Sequence, residues 1–181
     1  MTNIRLPIEQ YADVEIRNFY KDRIARGYTH ESVMASVYAR GRDNARTPMQ
    51  WSQEANAGFT TGTPWLPVNE NYTQINAEAA LKDPNSIFYY YQKLIQLRKN
   101  YAVFKDGDFK LVYPDNPEVF AYTRETDGEK LLVVCNFTAL HHAFRLPDGF
   151  LGAKVLLSNY PEGGRTLRPY EACILYQKKG K

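Results

Sequence analysis

The chain has 181 residues, 44 % of them hydrophobic and 24 % charged, with a net charge of +3 at pH 7. That length supports one good core or two small ones, and the composition is ordinary for a soluble globular protein. The charge excess is mild, and the only basic run is Lys178-Lys179-Gly180-Lys181. A nucleic-acid binder needs a clustered basic stripe, so that class is set aside.

Aromatic residues make up 14 %, mostly through 14 tyrosines. A tyrosine-rich core is the expectation for most of them, since buried hydroxyls find partners while exposed ones line sugar or protein surfaces. Cys135 and Cys173 each lie inside an apolar run, and neither belongs to a CxxC pair. Buried free thiols in a reducing compartment are expected. A Cys135–Cys173 disulfide stays open, because the two runs could be neighbouring strands. Three histidines with no ligand spacing give no metal site, and no cofactor is expected. No apolar stretch has signal-peptide or transmembrane character, which gives the expectation of a soluble cytoplasmic protein with no membrane partner.

In chain order, Ile8, Tyr11, Ala12, Ile16, Phe19 and Tyr20 recur at roughly helical spacing, and Gly27 ends that segment. Thr29 offers an N-cap for a second helix, His30 to Ala39, with Val33, Met34, Val37 and Tyr38 on one side. These faces are too short to make a core alone. Residues 41–76 read as irregular, punctuated by Gly58, Gly62, Pro64 and Pro67. A loop of that length is functional or disordered, and Trp51, Phe59, Trp65 and Tyr72 argue for order. A clear helix is expected over 84–100. Asp83 and Ser86 would cap it, Pro84 would take its first position, and a core-packed stripe would run through Ile87, Tyr90, Tyr91, Leu94, Ile95 and Leu97.

From Gly107 the period changes to two. Strands are expected around Phe109–Tyr113, Val119–Thr123, Leu131–Phe137, Ala143–Leu146, Lys154–Ser158 and Ala172–Gln177. Asp127-Gly128, Pro147-Asp148-Gly149 and Glu162-Gly163-Gly164 supply turns. The fold class is α+β: a helix-and-loop part over 1–105, incomplete by itself, then an antiparallel β-sandwich over 106–181.

The stretch Gly41 to Trp51 packs two arginines, an acid, two amides and a tryptophan around Pro48. Rigid hydrogen-bonding groups beside an aromatic suit a sugar, with hydroxyls meeting Arg, Asp and Asn and C–H faces meeting Trp. The alternative is a structural loop whose arginines pair with local acids.

The run Arg42-Asp43-Asn44-Ala45-Arg46-Thr47-Pro48-Met49-Gln50-Trp51 resembles a signature of glycoside hydrolase family 13, in its oligo-1,6-glucosidase and dextran glucosidase branch. Asn56-Ala57-Gly58-Phe59-Thr60, Pro64-Trp65, Val68-Asn69 and Asn71-Tyr72 follow in the order of that branch. The helix from Tyr90 to Lys99, the β part and Met1-Thr2-Asn3 resemble it too. The resemblance implies the end of a (β/α)8 barrel, with the excursion after the eighth strand and the last helix, followed by the C-terminal sandwich. It implies retaining hydrolysis of terminal α-1,6-linked glucose from isomalto-oligosaccharides, with two carboxyls about 5–5.5 Å apart.

No position matches the family's catalytic acids, so no catalytic residue is nominated and the isolated chain is expected to be inactive. Arg46 resembles the arginine that clamps the non-reducing-end glucose, paired with an aspartate outside these residues. Arg42, Asp43 and Trp51 are expected to hold the loop. Gly41 replaces the branch's usual Ser, which would loosen the entry to the loop. Trehalose 6-phosphate and sucrose are alternative substrates, and a non-enzymatic glucan-binding sandwich module is an alternative class. The unsatisfied helix faces imply self-association.

Overall fold

The computed structural model describes residues 1–161 and 166–179. Its packing divides into two compact units, Met1–Ser86 and Ile87–Lys181. The composition boundary near residue 105 separates helix-rich from strand-rich sequence, whereas the packing groups the helix Ile87–Asn100 with the strands.

The first unit is built on two antagonist-free local signals: caps and apolar spacing. Helix α1 (Val14–Ala25) starts where the Asp13 side chain accepts from the Glu15 N–H. The helical spacing expected from Ile8 onward is broken there. A single 3-10 turn covers Ile8–Gln10, and the chain is then extended at Tyr11 and at Asp13. Gly27, at φ +84°, lies beyond the end of α1. Helix α2 (His30–Arg40) is capped by Thr29 and buries Val33, Met34 and Val37, as its spacing implies. Ile4, Leu6, Tyr11, Ile16, Met34 and Val37 form the core of this unit. Residues 42–76 carry only 3-10 turns, then α3 (Ala77–Lys82) follows under an Asn76 cap.

The helix expected over 84–100 begins later. Asp83 accepts from the Asn85 N–H in a local turn, and the Ser86 hydroxyl donates to the Ala80 carbonyl. These bonds close a linker, so α4 runs Ile87–Asn100. Its apolar stripe is not core. No residue of α4 is buried, and Ile87, Tyr91 and Ile95 are exposed. A short α5 (Val103–Asp106) leads into the sheet and buries Val103.

The second unit carries a five-stranded antiparallel sheet. Its strands are β1 (Asp108–Val112), β2 (Val119–Glu125), β3 (Glu129–Asn136), β5 (Lys154–Ser158) and β7 (Ala172–Lys178), in the order β1-β2-β3-β7-β5. The expected strand at Ala143–Leu146 is only the two-residue β4 (His142–Ala143). It pairs with β6 (Thr166–Leu167), too short to carry a period-two signal. One sheet face packs Val119, Ala121, Leu132 and Val134 against Phe150 and Leu167, which closes the sandwich. The other face packs Leu131 and Tyr176 on Val103. The hairpin expected at Asp127-Gly128 joins β2 to β3, and Gly149 supplies a left-handed turn at φ +89°. The turn expected at Glu162-Gly163-Gly164 lies outside the described residues.

Cys135 and Cys173 do lie on neighbouring strands, but in a register that separates them. Cys173 stands opposite Val134 and Cys135 opposite Ala172, so the two thiols face opposite sides of the sheet. Both are free, and burial pushes both thiols up, Cys173 to about 11.

Leu132 and Val134 have no exposed surface in the sandwich core. Leu132→Ala is expected to destabilise the protein by about 2–5 kcal/mol in urea unfolding. A loss below about 1 kcal/mol would contradict this packing.

Candidate functional site

The polar loop after α2 is organised by two buried carboxylates. Asp43 sits in a 3-10 turn, Arg42–Ala45, with no exposed surface. Its Oδ2 accepts the Ala12 and Asp13 N–H groups at 2.8 and 3.0 Å, and its Oδ1 accepts Arg46 Nη1 at 3.2 Å. Asp13, also buried, accepts a two-pronged contact from Arg42, Nε at 2.7 Å and Nη2 at 2.8 Å. Arg46 Nη1 lies 3.5 Å from Asp13, and Arg42 Nη2 also reaches Glu15 at 2.8 Å. Such planar, charge-assisted contacts fix both the position and the angle of a guanidinium.

The remainder of the loop is held by amides and main-chain bonds. Gln50, almost fully buried, donates to the Ile75 carbonyl at 2.6 Å and to Asn71 at 2.9 Å. Asn69 and Asn71 donate to Thr2, tying the excursion to the start of the chain. Asn56, Ala57 and Gly58 are three consecutive left-handed residues, and the Ala57 carbonyl accepts from the Trp51 and Ser52 N–H groups. Trp51 and Trp65 are 53 % and 69 % exposed.

The residues singled out from sequence thus divide. Arg42 and Asp43 hold the loop. Trp51 contributes main-chain bonds, while its ring faces outward. Arg46 keeps 41 % of its side chain exposed while one nitrogen is fixed by Asp43, so it is both held and reachable. Asp13 escaped the sequence argument although it anchors Arg42 across 29 positions. The available signal was an acid just before a helical pattern, the position of an N-cap. Gly41 does not loosen the entry. A Cβ there would stand 2.7 Å from the Val37 carbonyl and 3.0 Å from the Ile16 side chain, so the absence of a side chain lets α2 close onto the loop.

Asp13 and Asp43 meet at one arginine nitrogen, yet they lack the chemistry of a retaining pair. One member of such a pair must carry a proton near neutral pH, and both must reach the sugar. Both are buried, and the Arg42 hydrogen bonds hold the Asp13 carboxyl down at about 2. Among the described residues no three His, Cys, Asp or Glu side chains converge as a metal-binding group.

Because the pKa of Asp13 is lower folded than unfolded, its ionisation stabilises the fold above the ordinary aspartate value near 4. That contribution declines as pH falls from about 4 to about 2. Asp13→Asn is expected to lower stability at pH 7 and to flatten the stability profile over that window, read by urea melts at stepped pH. An unchanged profile would contradict the pairing.

Residues 9–107 match the family model described as alpha amylase, catalytic domain. Residues 109–174 match maltogenic amylase, C-terminal domain. An oligo-1,6-glucosidase of Halalkalibacterium halodurans is 54 % identical, over 98 % of this chain and 33 % of the relative. A trehalose-6-phosphate hydrolase of Bacillus subtilis is 48 % identical, over 96 % of this chain and 33 % of the relative. The crystal structure of Bacillus licheniformis trehalose-6-phosphate hydrolase matches with a TM-score of 0.90 at 44 % identity, covering 99 % of this chain and 34 % of that one. The chain spans about a third of the length of the curated relatives it matches. With a catalytic-domain match across more than half of its residues and a C-terminal-domain match across most of the remainder, the chain belongs to the alpha-amylase family of glycoside hydrolases.

Proposed function

We propose that these residues form the C-terminal part of a retaining α-glucosidase that removes terminal α-1,6-linked glucose from isomalto-oligosaccharides. In this reading Arg46 holds the hydroxyls of the terminal glucose. The observation that carries it is the Arg46 guanidinium, fixed at 3.2 Å by a fully buried carboxylate and still 41 % exposed. A preset fork of this kind binds adjacent hydroxyls without first losing side-chain freedom. The likeness to oligo-1,6-glucosidases across nearly the whole chain supports the substrate class. Trehalose 6-phosphate is the competing substrate, supported by the likeness to its hydrolases.

The catalytic carboxylates lie outside these residues in this reading, and the 181-residue protein alone does not turn over glucosides. Free thiols at Cys135 and Cys173 support a reducing compartment, the cytoplasm. Among the described residues no helix is long and apolar enough to cross a membrane. The exposed side chains of Ile87, Tyr91 and Ile95 on α4, and of Phe109 and Phe120 on the sheet, support self-association of the isolated protein.

The test is a chimera in which this chain replaces the matched third of the Halalkalibacterium halodurans relative. It is expected to hydrolyse isomaltose in preference to trehalose 6-phosphate and sucrose. Arg46→Ala is expected to reduce kcat/KM by about 100-fold, the scale of a lost charged hydrogen-bond pair. Equal activity of Arg46→Ala, or a preference for trehalose 6-phosphate, would overturn the assignment. Turnover of a chromogenic α-glucoside by the 181-residue protein alone, above an empty-vector control, would overturn its inactivity.

A further inference from the structure

Strand β1 is followed by a residue in an unfavourable backbone. Tyr113 sits at φ +55°, the left-handed region that bulky side chains rarely occupy. Two contacts hold it there. Its hydroxyl donates to the Arg145 carbonyl at 2.9 Å, and its ring meets Phe144 edge-on, with 5.7 Å between centroids at 90°. Even so, 43 % of Tyr113 remains exposed. Glycine would adopt this backbone more readily, so turn geometry alone does not account for a large ring at this position.

The ring helps line an open groove of about 600 Å³ in the second unit. Phe144 lines it too, half-buried, and Asn116, Arg145 and Asp148 are exposed there. The Asn116 Oδ1 already accepts the Glu118 and Val119 N–H groups, each at 2.9 Å. That fixes its amide and leaves the NH2 end to donate. The groove therefore combines a fixed aromatic ring with a cationic donor, an anionic acceptor and an amide. One carboxylate and one guanidinium in the lining offset each other in charge, which disfavours an anionic ligand, and a pocket with a few polar groups favours a neutral, polyhydroxylated one.

We propose that this groove is a second carbohydrate site that takes a short α-glucan. A pyranose C–H face lies on Tyr113, and its hydroxyls meet Arg145, Asp148 and Asn116. The choice of an α-1,6-glucan rests on the α-glucosidase reading; the site itself rests on the groove.

Native gel electrophoresis of the 181-residue protein in gels with and without dextran tests this. Wild type is expected to be retarded by dextran. Tyr113→Gly, which suits the left-handed backbone, is expected to bind about tenfold more weakly, the loss of one anchoring ring. Arg145→Ala is a second variant that leaves the backbone untouched, and it is also expected to weaken retardation. Absence of retardation in wild type, or equal retardation of Tyr113→Gly, would overturn the proposal. Retardation lost in Arg46→Ala but kept in Tyr113→Gly would overturn it too, while supporting sugar contact at the loop. The chimera's hydrolysis of isomaltose is read separately, so failure of one proposal leaves the other standing or falling on its own result.

Discussion

A carboxylate with no exposed surface must be met by donors, because removing an unpaired charge from water costs several kcal/mol. Asp43 meets that demand with two main-chain N–H groups and one guanidinium. The constraint propagates in both directions. The Ala12 and Asp13 N–H groups are drawn to the loop just before α1, which places the Asp13 carboxylate to cap that helix and to take Arg42. On the other side, Arg46 is held with part of its side chain still outside. One buried acid therefore links helix start, loop path and the arginine proposed to touch sugar.

The loop's remaining order follows from the same rule that buried polar groups find partners. Gln50 does so through Ile75 and Asn71, and Asn71 through Thr2. The asparagines that look like generic loop composition are cross-ties between segments far apart in sequence. Three left-handed residues in a row at Asn56–Gly58 persist because the Ala57 carbonyl is held by two N–H groups.

Local signals were legible where a single element decides its own form. Thr29 and the Val33, Met34, Val37 spacing locate α2, and period-two runs locate β2, β3, β5 and β7. Signals failed where distant partners decide. Asp13 matters only once Arg42 returns to it. The stripe on α4 has the spacing of a core helix, yet Ile87, Tyr91 and Ile95 stay exposed and Tyr90, Leu94 and Leu97 are only half-buried, since apolar spacing does not specify what covers it. The ladder of β4 with β6 rests on two residues from each strand. The chemistry of Arg46 was visible in its motif, but its support by Asp43, three positions away, became clear only from the burial of that acid. Tyr113 carried no signal, because a left-handed backbone at a tyrosine is set by its contacts to Phe144 and Arg145.

Asp43 organises the loop, and hydrogen exchange at the two N–H groups it accepts measures this most directly. In the wild-type protein the Ala12 and Asp13 amides are expected to exchange as slowly as the amides of α2, and Asp43→Ala is expected to remove that protection. Fast exchange at both positions in wild type, or protection unchanged by Asp43→Ala, would contradict it.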